Sequence, residues 1–501
     1  MVDTKVEGET TFSHISRGAL VTLLGKSIGV PLGIGSTILV TRLFGAEIFG
    51  QLRFGLTVMD FAMIFCVLGL TTGAKRYISI AETRREQLEY YALSLLIGGS
   101  SSILVGGSMA FFSRNIALLF FDNVNSAVFI FYLGISLPFA TVFTISLAAT
   151  QAWNYSSFKT ALQDIVFKLS QIVLFGIVAY FGFRQAGLAQ SMFFIYLLIS
   201  LLAVLSVYVI VRDDFETTSG IFRAITLDTG KIKPLVTFSL PLLFTKSVWY
   251  LMNNADTLMI GYFIDENAVG LYSSAFSLAL FVQIVLGASG SLFMPNMAQL
   301  YENGKTGEIR YVYRKVTKWL MILSLPVMIG NLGFPVILLN VFGQEFGQMS
   351  VTLGVLSIGI FSHVLFGLNG AIMPAINRPK ALLYNNMTVL LVNIVLNTLL
   401  IPRYGIIGGA TATTISYFLL NILHESVLYK ELGLIPVRKD FIAVTLCSLL
   451  AIIGVNRVAN LGINTLSSAI LYGVVAYAIY IGIVLKLDYI DVDEFFGLIN
   501  G

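Results

Sequence analysis

Ionisable side chains interrupt several long apolar stretches of this sequence, and they are the residues best placed to do chemistry there. A charge in a hydrocarbon environment is costly, so such a side chain normally faces protein or water and marks a functional site. The residues of this kind are Lys26, Arg53, Asp60, Asp164, Lys168, Lys246 and Asp256. They are therefore the first candidates for a polar site inside the fold.

Lys26 and Lys246 form a candidate anion-binding pair, because they stand 220 residues apart in matching sequence contexts. Two ammonium groups that donate charge-assisted hydrogen bonds suit a phosphate or a pyrophosphate. Alternatively, each lysine extends along its stem to the nearest membrane interface, where water solvates its charge. We expect the first arrangement, with the two lysines on opposite walls of one cavity.

Two further pairs of charges have helical spacing. Arg53, a candidate residue of the substrate cavity, and Asp60 are seven residues apart and share one helix face. Asp60 falls near the predicted middle of the membrane, where it could bind a coupling proton or sodium ion, balance a cation, or simply hold a neighbouring helix. Asp164 and Lys168 have the i, i+4 spacing of an intrahelical ion pair, so we expect them to neutralise each other. Gln171 extends the same face and leaves a cavity-lining role open.

Polar residues also follow one stripe of the predicted seventh helix. Lys246, Tyr250 and Asn253 share this stripe, and Asn254 and Asp256 stand beside it. We interpret the stripe as a cavity wall and Asp256 as a further candidate for ion coupling or charge balance. Hydrogen bonding between helices is the alternative use of such residues.

The sequence has no signature of covalent catalysis or of a bound cofactor. Gly25-Lys26-Ser27 lacks the upstream glycine of a nucleotide-binding loop. Histidine and cysteine do not occur at metal-ligand spacings, so we expect no metal and no cofactor. His363 is expected to be a hydrogen-bonded packing residue, and His424 is expected to lie near the membrane interface.

The elements that must position these residues follow from the composition. The chain has 501 residues, of which 56% are hydrophobic and 12% are charged, whereas a soluble protein has about 25% charged residues. Apolar runs of about 18 to 25 residues recur between Leu20 and Leu485, each long enough to span a bilayer. The sequence therefore predicts an all-α polytopic membrane protein. The net charge of +4 is small, and no nucleic-acid partner is expected.

About fourteen transmembrane helices are predicted from these runs. Their predicted ranges are 18–42, 47–71, 88–112, 126–150, 158–182, 188–211, 232–260, 268–293, 317–342, 349–374, 381–401, 405–428, 440–458 and 465–486. Basic residues concentrate in alternate connections, including those with Lys75, Lys159, Arg310 and Arg438. The positive-inside rule then places these connections and both termini in the cytoplasm.

An internal repeat is indicated by a shift of 220 residues, which aligns the first two predicted helices with the seventh and eighth. Lys26 then meets Lys246, and Gly50 meets Gly270. The shift contains six helices, so the two copies have the same orientation, and transporters built from such parallel repeats bind substrate between the halves. We predict an N-terminal lobe over 1–225, a C-terminal lobe over 226–428, and two further helices with a tail over 429–501.

Several strings in the sequence resemble a known family. Gly45-Ala-Glu-Ile-Phe-Gly-Gln51 opens the second predicted helix, and Asn254-Ala-Asp-Thr-Leu-Met-Ile-Gly261 closes the seventh. Asn397-Thr-Leu-Leu-Ile-Pro-Arg-Tyr-Gly-Ile-Ile-Gly-Gly-Ala410 joins the eleventh and twelfth. The chain is thereby similar to the polysaccharide-transporter branch, which contains O-antigen-type flippases, of the multidrug/oligosaccharidyl-lipid/polysaccharide exporter superfamily. The resemblance implies two six-helix lobes around a central cavity and the flipping of a lipid-linked sugar between leaflets. It also implies a location in the cell membrane.

The function predicted from these observations is translocation of a lipid-linked oligosaccharide or polysaccharide precursor by alternating access, without enzymatic chemistry. The expected partners are a lipid-phosphate- or pyrophosphate-linked glycan and membrane lipid. H+ or Na+ is the candidate coupling ion, and glycan-assembly proteins are candidate partners. The alternatives are a multidrug exporter of the same superfamily and a membrane glycan polymerase or ligase, which would need catalytic groups on a sizeable outer loop.

Overall fold

The structure is a computed structural model that describes residues 3–121, 123–214, 228–283, 286, 297–434 and 482. Side chains are described at Gly25 and from residue 28 onward within these ranges, except at Asp213 and Thr229. Cys447 and the predicted helices 440–458 and 465–486 lie outside the described residues, apart from residue 482. The side chain of Lys26 lies outside them as well.

The chain divides into two compact units, 1–270 and 271–501. The helices that lie wholly in the first unit are α1 (Asp3–Val67), α2 (Leu70–Ile80), α3 (Arg84–Phe111), α4 (Ser113–Phe120), α5 (Ala127–Ala152), α6 (Ser156–Lys159), α7 (Phe167–Tyr180), α8 (Gln185–Val211) and α9 (Ile232–Phe263). A π-helical segment, Thr160–Val166, joins α6 to α7. Helix α10 (Glu266–Ala279) begins in this unit.

The helices described in the second unit are α11 (Thr306–Gly333), α12 (Pro335–Leu339), α13 (Ser350–Leu365), α14 (Asn369–Ala375), α15 (Pro379–Tyr404) and α16 (Ile406–Leu432). Proline begins α12 and α15, where its missing N–H removes no helical hydrogen bond. Gly433 ends α16 in the left-handed conformation, a common helix terminator.

Ten helical segments within the described residues are long and apolar enough to cross a membrane. The described part of the chain is helical, with no strand in it. The prediction of an all-helical, multi-pass membrane protein is thus confirmed.

Local backbone chemistry explains where several helices change direction. Gly45, at φ 81°, interrupts α1 between the first two predicted spans, and a positive φ is unstrained only for glycine. Leu68 and Gly69 also have positive φ and separate α1 from α2. Gly367, at φ 62°, falls between α13 and α14, so the predicted tenth helix, 349–374, consists of two pieces.

Helix α5 is the central helix of the first unit and packs against α1, α2, α3 and α8. Its buried side chains include Phe129, Ile130, Leu133 and Leu137, each with no exposed surface. In the second unit, α16 packs against α13 and α15, and α11 packs against α13. Burial of these apolar faces against one another, and of the outer faces in lipid, accounts for the charge-poor composition.

Candidate functional site in the first unit

The junction of α1 and α2 is covered closely by α9. A Cβ atom added to Gly69 would lie 2.2 Å from the carbonyl oxygen of Ser239, and one added to Gly73 would lie 2.1 Å from Ser239 Oγ. Only glycine leaves room for α9 at these two positions. The backbone of α9 at Ser239 therefore packs directly against the junction of α1 and α2.

This close approach brings Lys246 of α9 to the start of α2. Its Nζ atom donates a hydrogen bond of 2.5 Å to Thr71 Oγ1. Lys75, one turn further along α2, interacts electrostatically with both Lys246 and Lys159, the last residue of α6. Lys75 therefore lies within electrostatic range of lysines on two other helices, and we call these three residues the lysine cluster (Lys75, Lys159 and Lys246).

The pKa of Lys75 reflects the positive charge of the lysine cluster. Lys75 lies beyond the candidate span that ends at Val67. Burial, reinforced by the positive charges of Lys159 and Lys246, lowers the pKa of Lys75 to about 8. A nearby anion would oppose this effect, because opposite charge favours the protonated form of an amine. The cluster therefore has the electrostatic character of an anion site.

A second polar group, which we call the charge cluster, consists of Arg53, Asp60, Asp164 and Lys168. Asp60 interacts electrostatically with Arg53 on its own helix and with Lys168 of α7. Lys168 also interacts with Asp164, in the π-helical segment. The structure thus joins the two predicted pairs, and two positive and two negative charges balance formally. The side chain of Asp60 is exposed, whereas the other three are partly buried.

The charge cluster is positioned by a ladder of three glycines on α1, Gly25, Gly29 and Gly33. Added Cβ atoms would lie 1.8 Å from Thr160 Cγ2, 2.7 Å from Asp164 O and 3.6 Å from Lys168 Cε, respectively. Small residues at intervals of four let membrane helices approach closely. The ladder holds the π-helical segment and α7 against α1, and π-helical turns are frequent at functional sites.

Two tyrosines extend the charge cluster. Tyr250 of α9 donates a hydrogen bond of 2.8 Å to the carbonyl oxygen of Thr57 and interacts electrostatically with Arg53 and Asp60. Tyr196 of α8 also interacts with Asp60. Tyr250 is a predicted site residue, whereas Tyr196 is absent from the prediction because nothing in the sequence of α8 marks which of its faces meets Asp60.

The other predicted residues of α9 have local partners. Asn253 Nδ2 donates to the carbonyl oxygen of Trp249 at 2.7 Å, and Asn254 Nδ2 donates to that of Tyr250 at 3.0 Å. Asp256 is buried, with 4% of its surface exposed. The role of these three residues as a cavity wall or an ion site stays a prediction.

Neither cysteine nor metal chemistry is evident in the described part of the chain. Cys66 is a buried free thiol. No group of three histidine, cysteine, aspartate or glutamate side chains among the described residues could hold a metal ion.

A multi-pass helical membrane protein with charged clusters between its helices is typical of solute transporters. Residues 15–301 match the model of the family described as polysaccharide biosynthesis protein. This match covers more than half of the chain, and the chain therefore belongs to that family. A second model, described as MatE, matches residues 241–399.

Relatives and solved structures agree with this assignment. The chain is 24% identical to a putative O-antigen transporter of Shigella flexneri, over 82% of this chain and 96% of that protein. It is 25% identical to a probable low-salt glycan biosynthesis flippase of Haloferax volcanii, over 44% of this chain but only 49% of the flippase. The fold is similar to that of the lipid II flippase MurJ in an inward closed conformation, with a TM-score of 0.75 at 15% identity, covering 93% of this chain and 99% of the other.

Proposed function

We propose that this protein translocates a lipid-linked glycan precursor across the cell membrane, and that the lysine cluster binds the phosphate or pyrophosphate between lipid and sugar. The observation that carries this proposal is the electrostatic interaction of Lys75 with Lys159 and Lys246, which lie on two other helices. Ammonium groups donate strong, charge-assisted hydrogen bonds to phosphate oxygens. The similarity to a putative O-antigen transporter and a probable glycan biosynthesis flippase supports a lipid-linked glycan as the substrate.

Several finer features belong to the same proposal. We infer about fourteen spans with both termini in the cytoplasm, and two parallel six-helix lobes, 1–225 and 226–428, around a central path. Lys26 is the repeat counterpart of Lys246 and a further candidate ligand of the phosphate. Asp60 and Asp256 are candidates for binding a coupling proton or sodium ion. Transport in this scheme involves no covalent catalysis.

A complementation experiment tests the proposal. The gene is expressed in a cell that lacks its own glycan flippase, and lipid-linked glycan is quantified separately in the two leaflets. The wild type should restore glycan in the outer leaflet, whereas Lys75→Ala/Lys246→Ala should lower the rate by about tenfold or more, because each hydrogen bond to a charged group contributes about 1.5–3 kcal/mol.

The control is Lys305→Ala, which removes a lysine that pairs with Glu308 at an exposed site. Normal outer-leaflet glycan in the double variant, at matched amounts of folded protein, would contradict a phosphate-binding role for the cluster. Failure of the wild type to restore outer-leaflet glycan in several glycan backgrounds would contradict the flippase function itself.

The second candidate function is export of organic cations, which the MatE match over residues 241–399 favours. The lysine cluster argues against it, since a positively charged site repels cations. Growth in the presence of cationic dyes separates the two functions. A flippase should give no protection, whereas an exporter should raise the tolerated dye concentration severalfold.

A further inference from the structure

The second unit contains a buried polar network at the break between α13 and α14. A Cβ atom added to Gly367 would lie 2.2 Å from Thr317 Oγ1 of α11, so glycine is required sterically as well as by its φ of 62°. The break lies beside Tyr313, which is fully buried on α11. The Tyr313 hydroxyl contacts the carbonyl oxygen of Phe366, at the end of α13.

The same hydroxyl also lies 2.7 Å from Glu425 Oε1 of α16. A tyrosine hydroxyl has one hydrogen to donate, yet two acceptor oxygens lie within hydrogen-bond distance of it. Both contacts are satisfied together when Glu425 is a carboxylic acid that donates its own hydrogen to the tyrosine oxygen. The other oxygen, Glu425 Oε2, is buried and has no hydrogen-bond partner in the described structure.

A second titratable residue, His424, belongs to the same network. His424 is 2% exposed, and its Nδ1 lies 3.3 Å from Asn369 Oδ1 of α14. An amide oxygen only accepts, so Nδ1 carries the hydrogen of the neutral ring. His424 Nε2 is then an unprotonated nitrogen, and it is buried without a hydrogen-bond partner in the described structure.

Asn369 links the two titratable residues to the rest of the network. Its amide contacts the carboxyl group of Glu425, and its Nδ2 donates to Asn421 Oδ1 at 3.1 Å. The same Asn421 oxygen lies 3.2 Å from His363 Nδ1. These contacts tie α14 to α16 through polar groups that the sequence alone does not associate with one another.

Titratable side chains face Glu425 and His424 from two neighbouring helices. Tyr313 faces Glu425 from α11, and His363 faces His424 from α13. Arg378, at the start of α15, pairs with Glu431 at 2.8 Å, further along α16. No lysine or arginine among the described residues contributes to the electrostatics of Glu425. An ionised Glu425 would therefore be an uncompensated negative charge, which a membrane-spanning helix tolerates poorly.

We propose that Glu425 is a proton-binding residue at the break between α13 and α14, with Tyr313 as its hydrogen-bond partner. Release of the proton from Glu425 converts the acid to a carboxylate, and the proton leaves to water. The Tyr313 hydroxyl must then donate to the carboxylate, so it no longer donates to the Phe366 carbonyl at the break. Proton binding is thereby linked to the backbone between α13 and α14. This site does not depend on the identity of the transported solute.

Infrared difference spectroscopy of the full-length protein in lipid nanodiscs tests the site without a transport assay. On acidification, a carboxylic-acid C=O stretching band should appear, and it should be absent in Glu425→Gln. The band should shift in frequency in Tyr313→Phe, which keeps the carboxyl group but removes its hydrogen-bond partner. Glu308→Gln, at an exposed ion pair, is the control and should keep the band unchanged.

Three outcomes would overturn the proposal. The first is a band that persists in Glu425→Gln. The second is a band that does not respond to Tyr313→Phe, which also serves as the test if Glu425→Gln fails to fold. The third is removal of the band by added sodium chloride at constant pH, which would identify a metal-cation site in place of a proton site.

Discussion

Gly50 and Gly270 contact each other through their backbones, and they are partners under the 220-residue shift of the sequence. A Cβ atom on Gly50 would lie 1.7 Å from the carbonyl oxygen of Glu266, and one on Gly270 would lie 2.0 Å from that of Ala46. Ala46 and Glu266 are also 220 residues apart. The contact is therefore reciprocal, as at an interface between two copies related by a two-fold axis, and it supports the proposed repeat.

Substitution of either glycine should destabilise the protein strongly. Gly50→Ala or Gly270→Ala places a methyl group against a carbonyl oxygen of the facing helix, so the helices must separate, at a cost of about 1–3 kcal/mol or more. Thermal unfolding in detergent, followed by intrinsic fluorescence, measures the loss. The matched control is Gly107→Ala on α3, where an added Cβ meets nothing within 4 Å. Equal melting temperatures for Gly50→Ala and Gly107→Ala would contradict the close contact.

Binding of a phosphate-bearing ligand should weaken as the pH rises above about 8. Lys75 has a pKa lowered to about 8, and a bound anion favours its charged form, so binding near this pH is accompanied by proton uptake. Affinity should then fall by up to about tenfold per pH unit above pH 8. Titration of a lipid pyrophosphate into the purified protein at several pH values measures this dependence. Lys75→Arg, which stays charged, should flatten it, and an equally steep fall in that variant would exclude Lys75 as the cause.

The charge cluster should tolerate paired substitutions better than single ones. Asp60→Asn leaves an excess positive charge, and Asp60→Asn/Lys168→Met removes that excess. The single change should cost up to the roughly 2.5–3.5 kcal/mol of an isolated charge at the bilayer centre. The fraction of folded protein after detergent extraction measures the effect. If the double variant folds no better than the single one, the charges do not act as a unit.

Removal of Lys231 should destabilise the junction of α3 and α9. Its Nζ lies 2.6 Å from Glu89 and 3.6 Å from Glu86, and Glu89 has a side chain only 8% exposed. Lys231→Met removes the nearer cation from this carboxylate and leaves Arg85 Nε at 3.6 Å, at a cost of about 1.5–3 kcal/mol for the lost charged hydrogen bond. Lys305→Met at an exposed pair should cost about 0.5 kcal/mol or less. Chemical unfolding of the two variants in detergent compares these costs.

The stabilisation of the fold by Lys231 should also depend on pH in a defined way. Although partial burial lowers the pKa of Lys231, its hydrogen bond with Glu89 and the two glutamate charges outweigh this effect and raise it above the usual lysine value. The stabilisation is therefore fully present below the usual lysine pKa and is lost as the pH rises through the raised value. A loss of this stabilisation near neutral pH would contradict the assigned ion pair.

Hydropathy was sufficient to locate the ten candidate spans of the described residues, because it reflects the membrane directly. Gly45 falls between the first two predicted spans, and the predicted range 88–112 overlaps α3 from Arg84 to Phe111. The division of the tenth predicted helix was missed, since one positive φ at Gly367 leaves no mark on the hydropathy. His363 is hydrogen-bonded as expected. His424 is buried against neighbouring helices, and its expected position near the membrane interface stays a prediction.

The residues that make up the site were harder to predict from the sequence than the fold was. The sequence associated Lys75 and Lys159 with loops rich in basic residues, because both follow or precede apolar runs. Their meeting with Lys246 depends on three helices packing together, and periodicity within one helix contains no information about that. The two pairs of the charge cluster were each visible from helical spacing. Their connection depends on a π-helical segment that no composition marks.

The glycine ladder of α1 has a consequence for the position of that helix along its own axis. Gly25, Gly29 and Gly33 repeat at intervals of four, so a displacement of about 6 Å along the helix would place each glycine near the location of the next. The ladder fixes how closely α1 approaches α7, but its periodic surface offers similar fits at more than one axial position. The axial position must therefore be set by contacts that do not repeat, such as the buried hydrogen bond of 3.5 Å from Ser36 to Gln171.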